Sequence, residues 1–317
     1  MKKRIVSLAL IIILVMSMLN GVFAAVDRSA YYQDIRVLLS SMMRENVSVK
    51  LNGFYLLNGQ AVENNEFILK SAAGKIDING ELIDVITLEP QNQENLLTIT
   101  LLDENLNPVK DSNGNIIRRN YFGKFIFKLK DGKISTINVL DIERYVLGVI
   151  PYEMSENFQI EALKAQAIAS RSYGLYYRIN AKQGSEYDLV DSTTNQVYRG
   201  YNASFKKCIQ AVEETKGQVL IYNDVSKNME YIIPAYFHSS NGGYTEACEN
   251  VWLQSFPYFI SRLDEYSVTN WPGGVRSFTV EKINELLKKQ TEYQVHQHLL
   301  DLILTTLNIM KVEEFQI

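Results

Sequence analysis

Residues 141–177 read DIERYVLGVIPYEMSENFQIEALKAQAIASRSYGLYY, and the rest of the chain is organised around them. The stretch predicts a short helix over 141–150, a break at Pro151, and a long helix. Ser155 or Asn157 is the candidate cap of that long helix, because either side chain can accept a bond from a free backbone N–H. Glu153 falls in the break. Ala162, Ala165 and Ala169, then Tyr173 and Tyr176, recur at helical spacing and predict a narrow seam of small side chains ending in aromatics. Lys164 and Arg171 stand seven residues apart, two turns of one helix, so two cations point the same way from a rigid element. Glu153 has two readings: a carboxylate favoured by the positive end of the following helix dipole, or a catalytic acid.

Upstream, from Ala30 to Val139, the pattern is β. NVSVKL leads through Asn52-Gly53 to FYLL, KIDI through Asn79-Gly80 to ELIDVI, and FIFKLK through Asp131-Gly132 to KISTINVL. A two-residue Asn-Gly or Asp-Gly step between apolar runs predicts a hairpin. Residues 58–120 are richer in Asn, Gln and Glu and predict a small β subdomain inserted before the core. Downstream, the pattern predicts a loop from Ala181 to Gly200, a helix from Asn202 or Ser204 to Thr215, strands at QVLIY and YIIPAYFHSS, and helices over 280–289 and 293–311. This order makes the fold α+β. The divisions are 1–25, a β-rich region over 30–140, a mixed helix and strand core over 141–275, and a helical segment over 276–317.

The chain has 317 residues, 46% of them hydrophobic, enough for one large domain or two ordinary ones. A net charge of −4 argues against nucleic acid as the main partner, since phosphate binding needs a basic surface. Lys2, Lys3 and Arg4, the apolar run Ile5 to Leu19 and then Val22-Phe23-Ala24 form a signal peptide or an uncleaved membrane anchor, which predicts an extracytoplasmic protein. The two cysteines, Cys208 and Cys248, are either a disulfide or two buried thiols. Zinc needs three or four protein ligands. Only Cys208, Cys248 and His238 form a set to check, His296 and His298 being remote, so neither metal nor cofactor is assigned.

HSSNGGYTEACENVW, from His238 to Trp252, is the second informative stretch. Ser239, Ser240, Asn241 and Thr245 offer hydrogen-bonding groups beside a Gly242-Gly243 step, a mixture that suits a sugar site and equally an ordinary polar turn. In DSTTNQVYRG, from Asp191 to Gly200, Gln196 and Tyr198 either line a groove or tie the loop down through a buried ring.

YVLGVIPYEMS with EALKAQAIASRSY resembles the core motif of the stage II sporulation protein D family. His238 to Trp252 resembles its second motif, and Gln196-Val197-Tyr198-Arg199-Gly200 a third segment. Members of that family are lytic transglycosylases of bacterial peptidoglycan. The resemblance implies Glu153 as the catalytic carboxyl and Lys164 and Arg171 as substrate-orienting cations. It further implies a groove lined by Gln196, Tyr198, His238, Ser239, Ser240, Asn241, Gly242, Gly243 and Thr245. Ser155 replaces the family's usual Pro, Val190 and Asn195 stand where some members carry cysteines, and nothing after Trp271 matches the family's Gly-His-Gly tail. A transglycosylase needs only one carboxyl, because the sugar's own C6 hydroxyl attacks its anomeric carbon. The partners implied are peptidoglycan glycan strands, other sporulation proteins, and the membrane if the N-terminal segment is uncleaved. A second role described in the family is non-catalytic enhancement of an N-acetylmuramoyl-L-alanine amidase. A cysteine hydrolase using Cys248 and His238 is a third reading, weakened because no helix N-terminus is predicted at Cys248.

Overall fold

The computed structural model describes residues 33–227, 229–252 and 254–267, with short pieces at 277–279, 282 and 315–316. The targeting segment over 1–25 and the two C-terminal helices expected over 280–289 and 293–311 lie outside the described residues, except for residue 282. The chain divides into two compact units, Met1–Phe237 and His238–Ile317.

The first unit begins with β1 (Ile35–Leu38), β2 (Asn46–Asn52), β3 (Tyr55–Leu57), β4 (Gln60–Ala61), β5 (Glu66–Ala72), β6 (Lys75–Ile78), β7 (Glu81–Ile83) and β8 (Val85–Pro90). It continues with β9 (Leu96–Leu102), β10 (Arg118–Phe122), β11 (Lys124–Lys130) and β12 (Lys133–Leu140), and later β13 (Leu189–Val190), β14 (Ile221–Asp224) and β15 (Met229–Ile232). Two large sheets result, one of seven strands in the order β13-β1-β12-β11-β8-β3-β4 and one of six in the order β10-β9-β2-β5-β6-β7, while β14 and β15 pair as a separate two-stranded sheet. Residues 58–120 feed both sheets, β4 and β8 going to the first and the others to the second. Alternation builds the core: Val47, Val49, Leu97 and Ile99 from one sheet join Val37, Ile86, Phe125 and Phe127 from the other in a single apolar cluster.

Two of the three expected hairpins form. Asn79 and Gly80 have φ of 55° and 88°, and Asp131 and Gly132 have 51° and 73°, the doubly positive pair that matches the twist of a hairpin. The Asn52-Gly53 hairpin does not form. Gly53 has φ 120°, β2 pairs with β5 and β9, and β3 pairs with β4 and β8, so the chain crosses here from one sheet to the other.

Helix α1 (Ile142–Leu147) is capped by Asp141, which accepts from the Arg144 N–H. It stops at Gly148, and α2 (Ile150–Glu153) follows with Pro151 in its first turn, where a missing N–H costs nothing. The chain therefore breaks at Gly148-Val149 rather than at Pro151. The long helix α3 is Ile160–Ile179, preceded by Gln159 with no side-chain cap, so neither Ser155 nor Asn157 caps it. Its buried face is Leu163, Ala167, Ser170, Arg171 and Gly174 with their neighbours, while Ala165 is exposed, so the expected alanine seam is not the packed one. Gly174 is the contact point, where a Cβ would lie 3.0 to 3.3 Å from atoms of Ile142, Tyr145 and Ile35.

Helix α4 (Lys206–Glu214) starts later than expected. Its opening N–H groups are served from far away by Glu156, which accepts from Lys207 N at 2.7 Å and Cys208 N at 3.2 Å. The strand expected through YIIPAYFHSS ends at Ile232, two residues before Pro234, so His238 does not close a strand. In the second unit α5 spans Cys248–Trp252. The fold is α+β, with a β-rich N-terminal part. Among the described residues no helix is long and apolar enough to cross a membrane.

Candidate active site

Glu153 is the last residue of α2, half-buried, with Met154 already extended behind it. Its Oε1 accepts the Val197 N–H at 2.7 Å. Among the described residues Oε2 has no hydrogen-bond or ion-pair partner. One oxygen is thus fixed by backbone from the Asp191–Gly200 segment, and the carboxylate presents the other.

That segment is stitched down at every step. Asp191, buried, accepts from Ser40 Oγ at 2.7 Å and Ser41 N at 3.0 Å, and also from the Ser41 hydroxyl, with Arg119 3.6 Å away. Asn195 accepts from Val190 N and donates to the Tyr173 hydroxyl. Arg199 N donates to Gly148 O at 3.0 Å, and the Arg199 guanidinium lies over the Tyr152 ring at 5.6 Å. Gly148 makes the close approach possible: a Cβ there would sit 2.3 Å from the Tyr198 ring.

The two groove candidates in this segment part company. Tyr198 is 1% exposed, donates to Asn138 Oδ1 at 2.8 Å and packs against Tyr145 and Tyr121 at ring separations of 5.1 and 5.6 Å. It is a core residue, and the buried-ring reading describes it. Gln196 is 0% exposed and accepts from the Tyr145 hydroxyl at 3.0 Å, but its Nε2 has no partner among the described residues. Burial pushes the Tyr145 hydroxyl well above its ordinary range, with Tyr173, Glu153 and Asp191 adding to the effect, so it stays a neutral donor. An amide nitrogen left bare in a buried site is uncommon. Here it adjoins the residue whose N–H holds Glu153.

The two cations of α3 have surroundings other than the ligand-facing ones expected. Arg171 is 0% exposed. It forks onto Glu143 with bonds of 3.0 Å from Nε and 2.7 Å from Nη2, and gives Nη1 to Gln218 O at 3.0 Å. Glu143 also takes the Gly217 N–H at 2.9 Å. The pair walls one side of a cavity of about 500 Å³ whose lining includes Ile142, Leu175 and Val219 but not Glu153. Lys164 bonds Glu161 at 2.8 Å and Glu214 at 2.7 Å, joining α3 to α4. Its bonds to these two acids raise its pKa above the ordinary lysine range.

The second motif lies in the second unit and is held by its own hydrogen bonds. Asn241 donates to Asp264 at 2.8 Å and accepts the Gly243 N–H at 2.9 Å. The Ser240 and Ser267 hydroxyls are 3.2 Å apart, and Thr245 Oγ1 bonds Ile260 O and Arg262 N. Gly242 and Gly243 take φ of 68° and 111°. His238 and Ser239 are exposed. Cys248 does begin a helix, contrary to expectation, but burial raises its thiol pKa, with Glu249 adding to it, which is the wrong direction for a nucleophile. Cys208 and Cys248 are both buried and free. Among the described residues no cluster of three or more His, Cys, Asp or Glu suits a metal ion.

Sequence reasoning missed the Val197 N–H, which has no letter of its own, and the Asp191–Ser40–Ser41 tie, whose members are about 150 residues apart. It also missed Glu156 as the remote cap.

The stage II sporulation protein family model matches residues 130–222, which include Glu153, Lys164, Arg171, Gln196 and Tyr198 but not the His238 stretch. The chain is 45% identical over 119 residues to the amidase enhancer of Bacillus subtilis, covering 37% of this chain and 15% of that protein. It is 34% identical over 140 residues to stage II sporulation protein D of the same organism, covering 40% and 39%. A Brachyspira hyodysenteriae protein, named only as uncharacterised, is 35% identical over 138 residues, covering 44% and 36%. The chain thus spans well under half the length of these relatives. Residues 130–222 of the chain thus carry a domain similar to that of the stage II sporulation protein family, the stretch in which the resemblance to stage II sporulation protein D and the amidase enhancer lies.

Proposed function

We propose that this protein is a lytic transglycosylase of peptidoglycan glycan strands, with Glu153 as its single acid and base. The observation that carries this reading is the divided carboxylate, one oxygen pinned by the Val197 N–H and the other without a partner among the described residues. Glu153 protonates the glycosidic oxygen and the bond from the anomeric carbon breaks. The C6 hydroxyl of the same muramic residue closes onto that carbon, and its proton passes to the Glu153 carboxylate. No water is consumed, and the product ends in a 1,6-anhydro ring. A hydrolase would need a second working carboxylate. Three other acids of the helical region are already engaged, Glu143 by Arg171, Glu156 by the α4 N–H groups, and Glu161 by Lys164. Gln196, fully buried, holds its segment through the Tyr145 hydroxyl, and in the second unit His238 and Ser239 offer exposed polar groups to a glycan strand. Lys164 would orient an acidic substituent only by exchanging its present partners, and Arg171 acts as scaffold through Glu143 and Gln218 O. The work is extracytoplasmic, on the wall, with residues 5–26 exporting or anchoring the chain.

The test is Glu153→Gln, which keeps an oxygen for the Val197 N–H and so keeps the fold. Mass spectrometry of peptide-stripped strands should find anhydro-muramic ends with the native protein and none with the variant. Full release by the variant refutes the assignment.

The 45% identity to a protein named amidase enhancer favours a second reading, a wall-bound helper of an amidase. On that reading Glu153→Gln still stimulates the amidase and the native protein makes no anhydro ends.

A further inference from the structure

The six-stranded sheet has one face in the core and one outside. On β2, β9 and β10 the residues between Val47, Val49, Ile99 and Tyr121 point away from the core and border a concavity of about 500 Å³. Strand register orders them in rows. Arg118 stands opposite Thr100, while in the next row Asn120 stands opposite Thr98, Thr98 opposite Lys50, and Lys50 opposite Glu66. Thr98 is hydrogen-bonded on both sides, accepting from Asn52 at 3.1 Å and donating to Asn120 Oδ1 at 2.7 Å, so this lattice is held in place before any ligand arrives.

Several arginines of the unit are paired, whereas Arg44 and Arg199, like the cations of this face, have no ion-pair partner among the described residues. Arg36, Arg119, Arg144, Arg171 and Arg178 each lie within ion-pair distance of a carboxylate. Arg118 and Lys50 have no ion-pair partner among the described residues, although Glu66 is directly across from Lys50. On the neighbouring strands Lys70 does reach Asp77, at 3.9 Å, so the sheet geometry itself permits such pairing. Arg118 and Lys50 are two strands apart and two residues out of step, which places their backbones about 12 Å apart. Between them lie the Thr98 and Thr100 hydroxyls and the Asn120 amide.

We propose that this face is a second binding site, for a saccharide chain bearing carboxylates. Two separated fixed cations suit two acidic substituents, and the hydroxyl and amide groups between them suit sugar hydroxyls. The mixture with Glu66 and the −4 net charge disfavour a nucleic acid, which would need a denser positive surface. Identifying the saccharide as the wall's own glycan rests on the function proposed above. The site would hold a strand in register while a different part of it is cleaved.

The full chain carrying Glu153→Gln, so that strands stay intact, is titrated against peptide-stripped glycan strands with and without the added pair Lys50→Ala and Arg118→Ala. Both residues are exposed, and a thermal melt checks that the pair leaves the fold unchanged. Affinity should fall at least tenfold with the pair, and carboxyl-amidated strands should bind both forms equally weakly. Release of anhydro ends from a short soluble fragment by the otherwise native protein should not change. Equal affinity of the two forms for unmodified strands overturns the proposal, as does a loss that persists on amidated strands or tighter binding of a wall polyphosphate than of the glycan. Failure of the native protein to make anhydro ends would sink the cleavage reading alone, because the binding measurements do not depend on it.

Discussion

Replacing Arg171 separates scaffold from ligand contact. The guanidinium is 0% exposed and gives two bonds to Glu143 and one to Gln218 O, while Glu143 is also bound to Gly217 N. Arg171→Met removes one partner of a buried pair and strands the other, which costs about 3–5 kcal/mol. For a unit of this size each kcal/mol is worth about 2–4 °C, so the melting temperature should drop by roughly 6–20 °C. Glu143→Leu should cost a similar amount, because it leaves the guanidinium as the uncompensated charge. The double change Arg171→Met with Glu143→Leu should recover at least ~1 kcal/mol relative to the sum of the singles, since an apolar pair of similar volume is tolerated where half an ion pair is not. Circular dichroism melts of the four proteins read this directly, and glycan binding per folded molecule below the transition should be unchanged. An Arg171→Met protein that melts like the native one but no longer binds glycan would refute the scaffold assignment and restore Arg171 to the substrate.

Tyr198→Phe leaves Asn138 Oδ1 without its donor in a dry site and should cost about 1–3 kcal/mol, measured by urea titration. Gly148→Ala drives a Cβ to 2.3 Å from the same ring and should cost ~1–3 kcal/mol by overpacking, with loss of activity because the Gly148–Arg199 bond borders Glu153. Burial, aided by the neighbouring Glu156, pushes the Cys208 thiol up to about 12, so a thiol reagent at pH 8 should fail to label it until the protein is unfolded. Glu156 is held below the ordinary carboxylate range: burial opposes its charge, but the Cys208 thiol and the Lys207 and Cys208 N–H groups outweigh that. A depressed folded pKa stabilises the fold above the unfolded value and loses that contribution as pH falls through the folded one. Native protein should therefore lose stability below about pH 4.5 more steeply than Glu156→Gln, in melts taken between pH 3 and 7.

Local chemistry was legible where it was local. The Asn79-Gly80 and Asp131-Gly132 turns follow from two residues each, and the order of hairpins then helices follows from periodicity. Asn52-Gly53 shows the limit: the same letters serve a crossing between sheets, because the partners of β2 are chosen by burial of Val47, Val49 and Leu51 and not by the turn. The α3 seam misled for a related reason. Ala165 has the right spacing, but the helix rotates to bury Arg171 on Glu143, an ion pair that no hydrophobic pattern displays. Glu153 was expected in a break between helices and instead ends the short helix α2, so only its place ahead of the long helix was legible. What holds it was not, since the donor is a main-chain N–H.

A folded interior normally leaves few polar atoms unserved, because each bare one costs free energy that packing must offset. This unit follows that rule closely around its helices: Asp141, Glu143, Glu156, Glu161 and Asp191 are all bonded, several of them twice or more. Gln196 Nε2 is an exception, bare in the interior like the Tyr55 and Tyr121 hydroxyls and Thr136 Oγ1, and being fully buried it faces no ligand. Glu153 differs in kind. Its side chain is only half-buried, Oε1 takes the Val197 N–H, and Oε2 has no partner among the described residues and is not one of the buried unserved atoms. A carboxyl that must give a proton to a sugar linkage and take one back needs one oxygen held and the other open.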